Sequence, residues 1–225
     1  IALQEAFEPL FREHLDHRLG AYNSYSNFSC TRGTWPFGQS DCSGGLATFS
    51  RWPIINSEFV THPLLPDAKW DEAGGEKGFE LTIIKTPLSE IVIVNVHLYA
   101  GRNLEDEAQR EFQVAGLIEK LRKDNLFRFP IILLGDFNST HPGLSALGIQ
   151  QAESSALAAL LEAGFVMHAD TVKEEDLTYD VETNQYANLW FNRFEQRQVF
   201  DYMLFYAPTG YSIELKTYER SFDEK

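Results

Sequence analysis

The sequence predicts an α/β protein, and two observations support that class. Short apolar runs with strand character alternate along the chain with segments whose apolar residues recur at helical spacing. The apolar run at residues 131–134 is too short to cross a membrane, and it predicts a strand buried on both faces. The chain has 225 residues, of which 44% are hydrophobic and 23% charged, so we expect one globular domain over residues 1–225.

The first 78 residues are predicted to contain three strands and one helix. Apolar residues recur at helical spacing over residues 9–19 and predict a helix there. Residues 21–45 are rich in Tyr, Ser, Asn and Gly and are expected to form a loop, as are residues 62–78. The predicted strands of this segment cover residues 1–4, 45–50 and 54–60.

The chain after residue 78 continues the alternation of strands and helices. Residues 79–85 and 90–98 are predicted to form a hairpin, because only a short connection separates two strand-like runs. An apolar stripe with a charged opposite face predicts a helix over residues 105–123. A second helix is expected over residues 153–163, ended by Gly164.

Two polar residues follow the central apolar run, within residues 130–138. Asp136 and Asn138 are two positions apart, so a strand continuing through them would place both side chains on one side of the sheet. The mouth of a sheet is where α/β folds build binding sites. The alternative is a turn directly after the strand, because Asp and Asn side chains readily hydrogen-bond nearby backbone.

Three more polar residues stand at or inside predicted strands. Glu5 follows the first strand, His97 lies within residues 90–98, and Asp201 lies inside the last predicted strand, residues 199–205. Carboxylates can hold a divalent ion, a histidine can move protons near neutral pH, and an asparagine can donate to a phosphoryl oxygen. These residue types together are suited to splitting a phosphodiester.

Each of these three residues has a structural alternative. Glu5 could cap a helix that begins just after it, and His97 could be a hydrogen-bonded histidine of the core. Asp201 could pair with Arg193 or Arg197, which are close in sequence. A buried carboxylate needs a partner, so a structural role for Asp201 would require such a pair.

The net charge bears on the class of partner, and the two cysteines bear on a possible disulfide. The net charge of −14 repels a phosphate backbone and makes nucleic acid an unexpected partner. Cys30 and Cys42 could form a disulfide in an exported protein, or remain two buried thiols. No apolar run is long enough to predict a transmembrane helix.

Four short motifs extend over nearly the whole chain. They are Leu3-Gln4-Glu5, Asn95-Val96-His97-Leu98, Gly135-Asp136-Phe137-Asn138 and Phe200-Asp201-Tyr202. In this order and spacing they resemble the endonuclease/exonuclease/phosphatase superfamily, which includes pancreatic deoxyribonuclease, apurinic endonucleases, inositol polyphosphate 5-phosphatases and neutral sphingomyelinases.

Three other stretches resemble the sphingomyelinases within that superfamily. Residues 43–54 are similar to their Gly-Gly strand and Ser-Arg/Lys-x-Pro-Ile turn, and residues 75–79 to their Lys-Gly segment. Residues 177–184 resemble the Thr-Trp-Asp-x-x-Thr-Asn stretch of the bacterial enzymes. Together these stretches favour a sphingomyelinase C-like member.

The resemblance implies a role for each candidate residue. Glu5 corresponds to the metal-binding glutamate, and Asp136 to the aspartate near the metal or the attacking water. Asn138 corresponds to the asparagine that contacts the phosphate. His97 corresponds to the histidine that protonates the leaving group or stabilises the transition state. Asp201 corresponds to the aspartate that orients a general-base histidine.

A supporting pair is implied less directly. Sphingomyelinases carry an aspartate five residues before the lysine of Lys-Gly, near the first histidine of the site. In this chain Lys77 is that lysine and Glu72 occupies the aspartate position, with Asp71 beside it. Either carboxylate could therefore serve.

Two family features are missing from residues 1–225. The superfamily has a first strand with a metal-site asparagine ahead of Leu3-Gln4-Glu5, and it ends in a Ser-Asp-His motif that supplies the general base. No histidine follows Asp201 here. If the polypeptide ended at Lys225, we would expect little activity, so we expect the natural protein to be longer.

The resemblance also implies a fold, a reaction and a setting. The fold would be a four-layer α/β sandwich in which two mixed sheets face each other and helices lie outside. The reaction would be Mg²⁺-dependent hydrolysis of a phosphodiester, most simply sphingomyelin to ceramide and phosphocholine, with Mn²⁺ or Co²⁺ as substitutes for Mg²⁺. A nuclease, another phosphoesterase and a non-catalytic binding relative remain alternatives.

The same resemblance favours a secreted or membrane-peripheral monomer that meets its phospholipid at a membrane surface. Residues 35–37 (Trp-Pro-Phe) or 189–191 (Leu-Trp-Phe) could touch that surface, although aromatic residues of this kind also pack in cores.

Overall fold

The computed structural model has an α/β fold with a six-stranded sheet, a three-stranded sheet and a separate two-stranded pair, which confirms the α/β class expected from the sequence. It describes residues 1–6, 9–25, 34–35, 38–39, 44–101, 103–141, 154–167, 177–179 and 198–216. The helices are α1 (Pro9–Arg18), α2 (Trp70–Gly74), α3 (Leu104–Lys123) and α4 (Ser155–Glu162), with a 3-10 turn at Leu126–Arg128.

The strands, in chain order, are short at the N-terminus and longer in the middle of the chain. They are β1 (Ala2–Leu3), β2 (Asn23–Tyr25), β3 (Thr34–Trp35), β4 (Gly38–Gln39), β5 (Ala47–Ser50), β6 (Ile54–Thr61), β7 (Gly78–Lys85), β8 (Glu90–His97), β9 (Ile131–Asp136), β10 (Val166–Met167) and β11 (Asp201–Tyr206).

The larger sheet has six strands in the order β10-β11-β9-β8-β7-β6. Its neighbours run antiparallel except for β8 and β9, which are parallel and are connected through α3. The second sheet has the order β1-β5-β2, and β3 pairs with β4 separately. The predicted hairpin at residues 79–85 and 90–98 is therefore confirmed as β7 and β8.

One face of the larger sheet packs on α3 and α4 and forms the main core. Helix α3 begins at a capping box, in which Asn103 and Asp106 satisfy each other's backbone N–H groups. Its apolar stripe meets alternate residues of the central strands. The core members from β8, β9 and α3 include Val92, Val94, Val96, Ile131, Leu133, Val114, Leu117 and Leu121.

The opposite face of the larger sheet meets the second sheet and carries polar side chains. Asn95 of β8 is fully buried there and reaches Leu3 and Ala47 of the second sheet. On this side β9 is only partly buried, because Ile132, Leu134 and Asp136 alternate with fully buried neighbours. The prediction of a strand buried on both faces is therefore wrong for the side that faces the second sheet. The described second sheet has three strands against six in the larger one, so it covers this side of β9 only in part.

Several short elements formed inside predicted loops. Residues 21–45 contain β2, β3 and β4, and residues 62–78 contain α2. These elements have two to five residues, too few to show a period, and β2 exists through its pairing with β5. The last strand begins at Asp201 and not at residue 199, so Asp201 stands at its start instead of inside it.

Some sequence-based predictions fall outside the described residues. They concern the pairing of Cys30 and Cys42, the aromatic residues 189–191 and the arginines at 193 and 197; for residues 35–37, the side chains are not described. Among the helices that the structure describes, none is long and apolar enough to cross a membrane.

Candidate active site

The ends of three strands bring the predicted catalytic residues to one edge of the larger sheet. Because β8 and β9 are parallel, their final residues His97 and Asp136 stand side by side. Strand β11 runs the other way and begins there, so that Asp201 lies opposite Asp136. The topology therefore gathers three residues that are far apart in sequence.

A turn follows β9 and fixes the direction of Asn138. Gly135 has φ of +141°, and a Cβ there would collide with the carbonyl oxygen of Val96, so only glycine fits. Asp136 Oδ1 accepts the backbone N–H of Asn138 at 2.8 Å, and Asn138 has φ of +49°. The strand alternation does not continue to Asn138; the turn that the sequence offered as an alternative is what forms.

Asp136 is held in a setting that disfavours its negative charge. Its side chain is 22% exposed, and its pKa is raised to about 7 by burial and by the charge of Asp201. The hydrogen bond from Asn138 and the charge of Lys77 oppose this shift, whereas Glu5 adds to it. Burial, opposed by Thr178, and the charge of Glu5 also raise the pKa of Asp201.

His97 is almost fully buried at this edge of the sheet, with only 1% of its side chain exposed. Its Nε2 is 3.6 Å from Asp136 Oδ2. His97 is therefore both a buried histidine and a neighbour of the predicted catalytic carboxylate. Burial lowers the pKa of His97 well below its usual value, and the nearby Lys77 and His62 lower it further, while the Gly44 backbone opposes them. His97 is therefore a neutral imidazole at neutral pH.

Lys77 and Glu72 form a partly buried pair beside His97. Lys77 Nζ donates to Glu72 Oε2 at 2.9 Å and to Leu98 O at 3.3 Å. The same Glu72 oxygen accepts the N–H of Ala100 at 3.0 Å. Asn138 Nδ2 also donates to Leu98 O, at 3.2 Å, so Lys77 and Asn138 share one acceptor. Glu72 is thus the described carboxylate that pairs with Lys77.

Glu5 belongs to the same group of charges, although it comes from the second sheet. It lies two residues after the end of β1, its side chain is exposed, and its charge raises the pKa of both Asp136 and Asp201. Within the part of the chain that the structure describes, no three His, Cys, Asp or Glu side chains form a ready-made metal cage. The assignment of Glu5 and Asp136 to a metal stays a prediction.

The site also includes residues that the sequence analysis missed. His62 is 4% exposed, packs on Phe79 with ring centroids 5.5 Å apart, and lowers the pKa of His97. It lies in a segment predicted to be a loop, where no periodicity or motif marked it. Asn95 belongs to the motif Asn95-Val96-His97-Leu98, but its hydrogen bonds to Leu3 and Ala47 form only where the two sheets pack together.

Comparisons with known proteins agree with this architecture. The model of a family described as Endonuclease/Exonuclease/phosphatase matches residues 1–206. Sphingomyelinase C from Streptomyces griseocarneus is similar in structure, with a TM-score of 0.67 and 21% identity over 94% of this chain and 71% of that chain. A search of curated proteins found no match.

Two other solved structures show the same fold with different partners. A variant of beta toxin from Staphylococcus aureus with bound magnesium ions has a TM-score of 0.65 and 15% identity over 91% of this chain and 70% of that chain. TDP2 from D. rerio, complexed with a single-strand DNA product, has a TM-score of 0.62 and 16% identity over 94% of this chain and 72% of that chain. At these identities the likeness shows the fold.

Proposed function

Because the chain belongs to the endonuclease/exonuclease/phosphatase family, a family of phosphoester hydrolases, we propose that it is a Mg²⁺-dependent phosphodiesterase that cleaves sphingomyelin to ceramide and phosphocholine. One observation carries this proposal: three carboxylates, a neutral histidine, a lysine and an amide converge on the edge where β8, β9 and β11 meet. They are Glu5, Asp136, Asp201, His97, Lys77 and Asn138.

The carboxylates fit a hard divalent cation. Burial raises the pKa of Asp136 most, and the negative charges of Asp201 and Glu5 raise it further; a cation would relieve this repulsion. Mg²⁺ is usually held by one or two carboxylates plus water and substrate phosphate, so a three-residue cage is not required. Glu5 and Asp136 would hold the ion, and beta toxin has bound magnesium in the same fold. When bound, the ion would polarise the phosphoryl oxygens.

The remaining residues have roles that follow from their protonation states. A water oxygen forms the new bond to phosphorus while the bond to the ceramide oxygen breaks, and the water loses a proton as the leaving oxygen gains one. The Asp136 carboxylate, ionised once a cation relieves its charge, can orient the attacking water. The neutral His97 can donate a hydrogen bond to a phosphoryl oxygen, which favours transition-state stabilisation over acid catalysis.

The charge of the site favours a lipid diester over a polyanion. Lys77 is already paired with Glu72, and the neighbouring groups are carboxylates. A nucleic acid would bring several phosphates to this acidic surface, whereas a phosphocholine lipid has no net charge. The fold is compatible with a lipid substrate, since sphingomyelinase C from Streptomyces griseocarneus has a similar one. On this proposal, the protein acts as a monomer at a membrane surface, secreted or peripherally attached.

The proposal can be tested with one panel of substrates. The protein is assayed with Mg²⁺ on sphingomyelin vesicles, phosphatidylcholine vesicles and plasmid DNA, beside Glu5→Gln. We expect phosphocholine release from sphingomyelin, loss of that release with a chelator, and a large fall in Glu5→Gln. Cleavage of DNA alone would show that the lipid assignment is wrong. Equal activity of Glu5→Gln would show that Glu5 does not hold the metal.

A further inference from the structure

The backbone of Glu5 has a conformation that the chain must enforce. Glu5 has φ of +57°, in the left-handed region that residues with a Cβ seldom adopt. Such a conformation is unfavourable for a residue with a Cβ and persists only where surrounding contacts hold it. Contacts immediately before and after Glu5 should therefore show what sets the direction of its carboxylate.

Hydrogen bonds hold both sides of Glu5. After it, the N–H of Ala6 donates to Gly45 O at 2.8 Å. Before it, Asn95 Nδ2 donates to Leu3 O at 3.1 Å, and Asn95 Oδ1 accepts Gln4 Nε2 at 2.6 Å. A single amide side chain therefore holds both the backbone and the side chain that precede Glu5.

The neighbours of Asn95 determine which way its amide points. Asn95 Nδ2 also lies 3.2 Å from Ala47 O and 3.3 Å from Thr48 Oγ1. The Thr48 hydroxyl donates to Glu80 Oε2 at 2.8 Å, so it can only accept from Asn95. Three acceptors surround Nδ2 and one donor faces Oδ1, so a flipped amide would lose these bonds. Asn95 is fully buried, which makes each of them matter.

The position of Asn95 connects the two halves of the site. It lies in β8 two residues before His97, and both side chains point to the face that meets the second sheet. Its bonds end on Leu3 and Gln4, which lead directly into Glu5. The strand that carries His97 is thus tied to the segment that carries Glu5.

We infer that Asn95 is a positioning residue: by clamping Leu3 and Gln4, it sets the Glu5 carboxylate relative to His97 and Asp136, so that metal affinity depends on it. The inference rests on the proposed function for the metal role of Glu5. Partners that orient a metal ligand typically change metal affinity about 10–100-fold when they are removed.

The clamp itself can be measured without metal. In Asn95→Leu, which is close in size but cannot hydrogen-bond, we expect the Ala6 amide to exchange with solvent at least about tenfold faster, relative to amides in β7, as local opening would allow. The matched control is Gln109→Leu. Gln109 is also a buried amide that clamps a segment, with bonds to Leu65 and Asp67, outside the site.

Metal binding gives the second measurement, made by electron paramagnetic resonance of Mn²⁺ without substrate. We expect the Kd for Mn²⁺ to rise at least about tenfold in Asn95→Leu and less in Gln4→Leu, which removes one bond at a partly buried position. Gln109→Leu should leave Kd unchanged even if it lowers Tm as much. If Asn95→Leu does not fold, Gln4→Leu still tests the inference through the same two readouts.

The outcomes separate this inference from the proposed function. Unchanged Ala6 exchange in both Asn95→Leu and Gln4→Leu overturns the clamp. Unchanged Mn²⁺ affinity in these variants, in a protein whose Glu5→Gln variant binds more weakly, overturns the positioning role. If Glu5→Gln binds Mn²⁺ as tightly as the unmodified protein, the metal assignment in the proposed function fails, whereas the exchange result still decides on the clamp.

Discussion

The two faces of the six-stranded sheet bury side chains of different chemistry. Toward α3 and α4, strands β7, β8 and β9 present aliphatic residues such as Leu81, Val94 and Leu133. Toward the second sheet, β7 and β8 present Glu80, Asn95 and His97, which are equally inaccessible to solvent but polar. An aliphatic face stabilises the fold by removing apolar area from water. A buried polar face is stable only where its hydrogen bonds are made.

This difference shows how one strand can serve two purposes. In β8, alternation sends Val96 to the helices and His97 to the second sheet. We therefore expect substitutions on the helix face to change stability and substitutions on the second-sheet face, near the strand ends, to change chemistry. Four experiments test that expectation, from the largest effect to the smallest.

The first experiment removes a buried side chain from the helix face. Leu133→Ala should lower the free energy of unfolding by about 2–5 kcal/mol, because Leu133 is fully buried and its loss leaves a cavity. Leu134→Ala, one residue along β9 and only partly buried, should cost less. Urea unfolding of both variants measures the difference. Equal losses would mean that the two faces do not differ in packing.

The second experiment replaces the histidine of the other face. His97→Ala should lower kcat by about 10²-fold or more, the usual scale for losing a positioned catalytic group. Val96→Ala is the control, since it removes a side chain from the adjacent position on the helix face. We expect it to lower Tm while turnover per folded molecule stays close to that of the unmodified protein. Unchanged kcat in His97→Ala would assign His97 to the core instead.

The third experiment concerns Asp201. The resemblance assigns this residue to orienting a general-base histidine, and the structure places it opposite Asp136. Among the residues that the structure describes, no lysine or arginine forms an ion pair with it. Asp201→Asn should keep the fold and lower turnover by about tenfold or more, because a negative charge at the reaction centre is lost.

Tm and kcat measured on the same Asp201→Asn sample separate the two readings of this residue. The structural alternative is an ion pair with Arg193 or Arg197, both outside the described residues. It would show itself as a large fall in Tm with normal turnover. A preserved Tm with reduced turnover is the outcome we expect.

The fourth experiment follows the pKa of Asp136 through stability. Its pKa of about 7 in the folded protein lies above the value of 3.8 for a free carboxyl group, so the folded state holds a proton that the unfolded state releases. In metal-free buffer, this group therefore contributes stability below pH 4 that is lost as pH rises to about 7. Asp136→Asn should remove that contribution.

The buried histidines have the opposite effect on the pH dependence of stability, so the contribution of Asp136 is measured as a difference between two proteins. Burial lowers the pKa of His62 to about 3. Protonation of this histidine therefore favours unfolding as pH falls below 6.5, its ordinary pKa. Tm is therefore measured from pH 4.5 to 8 for the unmodified protein and Asp136→Asn. We expect the variant to gain a few degrees relative to the unmodified protein at the upper end. Parallel curves would contradict the raised pKa.

The sequence alone determined the elements that have their own local signal. Helix α3 has an apolar stripe and a capping box, and the β7–β8 hairpin has two strand-like runs across a short turn. The order of the four motifs also identified the superfamily that the family model confirms. These features depend on residues close in sequence or on fixed residue types, so one chain is enough to read them.

Only the tertiary structure decided how the site is assembled. The turn after β9 puts Asn138 in the left-handed region, and pairing with β5 makes residues 23–25 a strand. No periodic pattern of apolar residues marks either feature in the sequence. Burial and the charge of Asp201 raise the pKa of Asp136. The hydrogen bond from Asn95 to Leu3 joins residues that are 92 positions apart in the chain. Burial, charge proximity and hydrogen bonds between distant strands arise when the two sheets pack, so they are properties of the folded chain and not of any local segment.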